Sequence, residues 1–257
     1  MKSGATRIAK GTAGFAGAVL VWELLRRLSS VDARDFPSAL DIANVAAASL
    51  AQQATLDAIG ATLQAWAMGV GLAILIGIPL GIWLGRSRAA EHATRPIVEF
   101  IRPIPSVALI PLAVIWFGLG VGMKIFIIAF ACTWPILFNA KAGVEGVDPR
   151  FIETGRAYGL SRLSVLLRIV LPAALPSMAT GVRIAAAIGL ALGITAEMIA
   201  GRSGLGFLLE SSRIAGRATE VFATVLVAGC LGALLNSSLL AMEKRVLLWS
   251  PDHRPAS

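Results

Sequence analysis

The stretch DPRFIETGRAYGLSRLSVLLRIVLP, residues 148–172, decides how this chain is read. Asp148 before Pro149 is a helix start, because the carboxylate caps exposed N–H groups and proline is tolerated at the first helical position. A helix is predicted from there to Tyr158, and Gly159 ends it as glycine does after a C-cap. Ser161 caps a second short helix. Leu163, Leu166, Leu167 and Val170 fall at i, i+3, i+4 and i+7, which predicts one apolar face. Pro172 closes the unit. Two short helices thus meet at a fixed glycine turn, with strongly apolar sequence before and after them. Such a pair is either a surface loop resting on lipid headgroups or a docking element for a partner beside a membrane.

Outward from that stretch the chain is short of water-facing groups. Of its 257 residues 56% are hydrophobic and only 15% charged, against about 25% charged in soluble domains. The mean hydropathy is +0.77. An ordinary soluble globule, a disordered chain and a disulfide scaffold are excluded. Cys132 and Cys230 both lie in apolar stretches and are expected to be buried thiols. A helix crosses about 30 Å of hydrocarbon with roughly 20 apolar residues. Residues 58–85, 103–123, 125–140 and 221–242 carry no charge, and 169–196 carry only Arg183. Lys124, at the edge of two stretches, is expected to snorkel. A weaker sixth segment, 11–28, contains Glu23, Arg26 and Arg27. It reads as an uncleaved anchor, since residues 30–33, Ser-Val-Asp-Ala, make a poor signal-peptide cleavage site.

Six spans put both termini on one side. With the N-terminus inside, fifteen Lys and Arg fall in cytoplasmic segments and seven in external ones, as the positive-inside rule requires. The net charge of +8 is then a topology signal, and no nucleic-acid partner is called for. Pro37-Ser38 starts an external amphipathic helix to about residue 51. The organisation predicted is an anchor span with that helix over 1–57, a transmembrane domain over 58–248 that includes the cytoplasmic helices 148–172, and a cytoplasmic tail over 249–257. Gly77, Gly81 and Gly85 form a row at helical spacing, as do Gly189 and Gly193. Such rows serve close helix packing within one subunit or a dimer seam. Pro79, Pro103, Pro105, Pro111 and Pro135 at membrane depth free backbone groups and predict helices lined by protein or facing a cavity.

Glu153, Gly159, Ile169, Leu171 and Pro172 carry the spacing E-x5-G-x9-I-x-L-P. This resembles the EAA motif of the membrane-spanning permeases of binding-protein-dependent ABC importers. Thr154 and Gly155 depart from it where the family more often has alanines. Other stretches resemble the nitrate, sulfonate and taurine branch. They are Arg102-Pro103-Ile104-Pro105-Ser106, Trp116-Phe117-Gly118-Leu119-Gly120, Ala196-Glu197-Met198-Ile199-Ala200-Gly201 and Ser203-Gly204-Leu205-Gly206-Phe207. The resemblance implies an all-α polytopic bundle of about six spans, like a type I ABC importer permease. It implies that coupling helices within 148–172 seat in a cytoplasmic ATPase subunit through Glu153, Thr154, Gly155, Tyr158, Gly159, Ile169, Leu171 and Pro172. ATP and Mg would be bound by that partner and no cofactor by this chain. An external binding protein would deliver a small anion such as an alkanesulfonate, taurine or nitrate. A second permease copy, commonly identical, would complete the pore in the inner membrane of a bacterium.

The residues themselves add exclusions. No G-x4-G-K-[ST] phosphate loop occurs, so energy must come from a partner. His92 and His253 read as solvated side chains and not as metal ligands. Gly201-Arg202-Ser203-Gly204 resembles the G-x-S-G of intramembrane serine proteases, but both histidines fall on the other side, leaving Ser203 without a base. Arg183 lies about 10 Å up its span from Pro176 at 1.5 Å per residue. It faces either a cavity, attracting an anion, or the inner headgroups. Glu197 either guards an outer gate or pairs with Arg202. An ion-coupled secondary transporter would use Glu197 and Arg183 as a relay, and leaves the motif spacing unexplained.

Overall fold

The computed structural model describes residues 2–28 and 35–247. The tail 249–257 with His253, and residues 30–33, lie outside the described residues. Among the described residues every regular element is helical: α1 (Lys2–Leu28), α2 (Ala39–Ser49), α3 (Gln53–Arg86), α4 (Arg88–Ile101), α5 (Ile110–Phe117), α6 (Val121–Glu145), α7 (Pro149–Ala157), α8 (Arg162–Val165), α9 (Leu171–Ala200), α10 (Leu205–Ile214) and α11 (Ala218–Val246).

Four helical stretches are long and apolar enough to cross a bilayer: α3, α6, the run Arg162–Ala200 and the stretch Ala218–Arg245 of α11. Among the described residues this gives four spans, or five with one bent pair, beside the expected six. Residues 103–123 do not form a continuous span. Pro103 and Pro105 lack N–H donors, so the chain breaks after α4, makes a 3₁₀ turn at Ser106–Leu109 and enters the eight-residue α5. Gly118, at φ +69°, stops α5. The two halves are bent by 79°. α1 carries Glu23, Arg26 and Arg27 in its second half. It is tied to the loop before α2: Trp22 Nε1 donates to the Pro37 carbonyl and Arg26 Nε to that of Phe36. α2 begins as expected, with the Ser38 hydroxyl accepting from the Asp41 N–H.

α6 is the central rod, packed between α3 and α9. Its Ile128, Cys132 and Ile136 are fully buried against Val70 and Ala73 of α3 and Ala185 of α9. The glycine rows make this packing possible within one chain. A Cβ on Gly81 would stand 2.6 Å from that of Ala140, and one on Gly77 3.0 Å from Ile136 Cγ2. Gly189 and Gly193 likewise sit against Ile128. Close approach of backbones is what joins helices in lipid, where apolar burial gives little. Gly81→Leu is therefore expected to destabilise the bundle by about 1–3 kcal/mol or more. Gly60→Ala, with open space around the position, should be neutral. Melting of the detergent-solubilised protein checks both.

Pro135 is half-buried and its carbonyl accepts from Asn139 Nδ2. Pro79 instead faces outward from α3, on the side away from the glycine row, so one chain does not line it as expected. Cys132 is buried, but Cys230 is exposed, because α11 keeps most of its surface outside the bundle.

Candidate functional site

The polar helix pair between α6 and α9 is built by local capping. The Asp148 carboxylate accepts from the Arg150 N–H at 2.8 Å. At the other end of α7, Tyr158 N–H donates to the Thr154 carbonyl and Leu160 N–H to that of Gly155, which closes the helix. Gly159 takes φ +77° to allow this. The Ser161 hydroxyl accepts from the Ser164 N–H and starts α8. A π-helical turn over Leu166–Val170 then joins α8 to α9 without a break.

That turn corrects the expected apolar face. A π turn carries an extra residue, so it rotates Val170 away from Leu163 and Leu167. Val165 and Val170 are buried with Val144, Ala174 and Met178 at the feet of α6 and α9. Leu163 and Leu167 point outward, 63% and 54% exposed. The motif residues divide the same way. Gly155 is buried, Ile169, Leu171 and Pro172 are half-buried, and the Ile169 Cδ1 fills the space a Cβ on Gly155 would need. Glu153, Thr154 and Gly159 are exposed, and Tyr158 is 84% exposed. Phe151, about two turns earlier, is 63% exposed. The outcome is a firmly seated helix pair that presents aromatic and aliphatic side chains to the outside.

A second cluster lies at the opposite end. Lys124 Nζ on α6 donates to Glu197 Oε1 on α9 at 2.9 Å, and both side chains are almost wholly buried. Lys124 also donates to the Ser203 carbonyl at 2.7 Å. The Thr62 hydroxyl of α3 bonds the same carboxylate and accepts from the Leu205 N–H. Gly206 N–H donates to Glu197 Oε2 at 3.0 Å. Every charge in the cluster is hydrogen-bonded, as burial demands. Two expectations are corrected here. Lys124 does not snorkel, and Glu197 does not pair with Arg202, which is exposed. The glycine-rich turn 201–206 folds back over Glu197 and offers backbone amides in place of Arg202. A Cβ on Gly204, at φ +105°, would collide with that carboxylate. The hydrolase reading gains no base. The Lys124 ammonium offers Ser203 Oγ a donor and no lone pair.

Arg183 faces Glu243 of α11 at 3.8 Å. The two lie near a cavity of about 150 Å³ that Leu190, Gly232 and Asn236 also line. Arg183 and Glu197 thus each have a separate partner, and their fourteen-residue separation puts them roughly 20 Å apart along α9. They do not form a relay. Sequence reasoning missed Lys124. The one available signal was a glycine-rich turn directly after a carboxylate that ends an otherwise apolar span.

Helices alone, several of them of membrane-crossing length, and a polar pair seated at one end define an all-α polytopic membrane protein of the importer-permease type. Residues 77–247 match the model for the binding-protein-dependent transport system inner membrane component, and the chain belongs to that family. It is 37% identical over 191 residues to the taurine transport system permease protein TauC of Escherichia coli, covering 74% of this chain and 70% of that one. It is 31% identical to the putative aliphatic sulfonates transport permease protein SsuC of the same organism, covering 92% and 90%. Identity to the nitrate import permease protein NrtB of Leptolyngbya laminosa is 33%, over 76% and 69%. The fold resembles a chain of the inward-facing MetNI methionine ABC transporter, with a TM-score of 0.68 at 19% identity over 75% of this chain and 96% of that one. The family resemblance is borne out. The chain is a multi-pass inner-membrane permease subunit of an ABC importer, and ATP is used by a separate ATPase subunit.

Proposed function

We propose that α7 and α8 are the cytoplasmic coupling element of an importer for a small anion, seated in a groove of the ATPase subunit. The observation that carries this reading is the division of the pair into two faces. Val165, Ile169 and Val170 pack with the feet of α6 and α9, while Phe151, Tyr158, Leu163 and Leu167 stand exposed. Exposed aromatic side chains on a rigid support are what a partner interface uses as anchors. A stroke received there passes into the spans, because packed elements move as units and do not deform gradually. Glu153 and Thr154 flank the docking face, and Gly155, Ile169, Leu171 and Pro172 hold it to the bundle.

On this reading both termini are cytoplasmic and residues 58–248 form the permease domain, with the anchor and α2 preceding it. Two identical copies line one pathway. An external binding protein delivers the solute, and Mg and ATP are bound in the ATPase. The solute class, an alkanesulfonate, taurine or nitrate, is carried over from the relatives' names. Arg183 ties α9 to α11 through Glu243, and Glu197 holds the turn before α10, so neither presents an unpaired charge to the solute. The test is Tyr158→Asp with Leu163→Asp. Co-purification of the ATPase should fall more than about tenfold, as for loss of interface anchors, while melting of the permease stays within about 1 °C because neither side chain is buried. Unchanged co-purification would remove the reading.

A further inference from the structure

A cavity of about 200 Å³ lies between the helix pair and the end of α3. Arg86 of α3, Arg156 of α7 and Arg162 of α8 line it, over a floor of Val144, Val165 and Val170. No carboxylate lines it. Among the described residues none of the three arginines makes an ion pair, and Glu153, one turn from Arg156, does not reach it. All three arginines are exposed, and three like charges lining one concave space make its potential positive and attract an anion to it. Their planar forks match the oxygens of phosphate-type anions. The volume suits one tetrahedral oxyanion with a few waters.

We propose that Arg86, Arg156 and Arg162 form a site for one phosphate-class oxyanion that pins the helix pair to the foot of α3. The phosphodiester of an anionic phospholipid and free inorganic phosphate share this chemistry. Contact of these arginines with acidic groups of the ATPase is the competing outcome of the test. The binding does not depend on the coupling role proposed above.

The experiment uses the full chain in phosphatidylcholine nanodiscs, titrated with inorganic phosphate against chloride at equal ionic strength. Phosphate should raise the melting temperature and slow amide exchange over 151–165. Arg156→Gln and Arg162→Gln should each weaken the response about tenfold, the loss expected when a charge-assisted hydrogen bond goes. Arg150→Gln, which does not line the cavity, should leave it unchanged. In phosphatidylglycerol nanodiscs, protection before any phosphate is added identifies the lipid as the source. An equal phosphate response in both lipids identifies the free anion. No response in the parent chain, or the same response in the arginine variants, overturns the proposal. So does loss of ATPase co-purification in those variants while exchange over 151–165 is unmoved.

Discussion

Lys124→Met is expected to remove most of the folded protein, and Lys124→Met with Glu197→Gln to restore it. Lys124 and Glu197 are 3% and 0% exposed and bonded to each other. Taking away one partner of a buried pair costs about 3–5 kcal/mol, because the remaining charge is left without compensation. Domain stabilities are only about 5–15 kcal/mol. In the double variant the glutamine still accepts from the Gly206 N–H and faces the Thr62 hydroxyl, so the cap on α10 survives. Size-exclusion profiles of the solubilised variants read the folded fraction. Equal yields for parent and Lys124→Met would show that the pair contributes nothing. The same cluster explains Gly204 and Gly206. Their missing side chains let the turn close on Glu197, and Gly204→Ala should behave like the single charge variant.

The second large effect falls on coupling. Gly159 holds φ +77° with open space where a Cβ would stand, so any penalty comes from the backbone alone. A left-handed residue other than glycine costs about 1–2 kcal/mol, least for Asn and most for a β-branched side chain. Gly159→Val should therefore leave the spans folded but shift α8 against α7. Uptake is expected to fall more than about tenfold while ATPase turnover persists, since a small misplacement of a lever is felt at its far end. Gly159→Asn should keep most uptake. Equal uptake by the Val and Asn variants would show that the turn geometry does not matter.

The difference between these two sites also separates what the residues disclose from what they conceal. The turn at Gly159 was legible because its determinants are local: Asp148-Pro149, a glycine and Ser161 each act within a few residues. The starts of α2 and α7 were legible for the same reason. The four long spans followed from stretches with at most one charge. The ion pair was not legible, since Lys124 and Glu197 are 73 residues apart and meet only once α6 packs on α9. Residues 103–123 misled because counting charges ignores what three prolines and Gly118 do to helix continuity. Leu163 and Leu167 were placed inward by a 3.6-residue period that the π turn at Leu166–Val170 breaks.

The most direct measurement places a photo-crosslinking amino acid at Tyr158 in cells that also make the ATPase subunit. A permease–ATPase adduct is expected at Tyr158, and none from the same group at Ile115, which is exposed at the opposite end of the bundle. Adducts from Tyr158 only with lipid, or with the external binding protein, would contradict the docking of α7 and α8 on the ATPase.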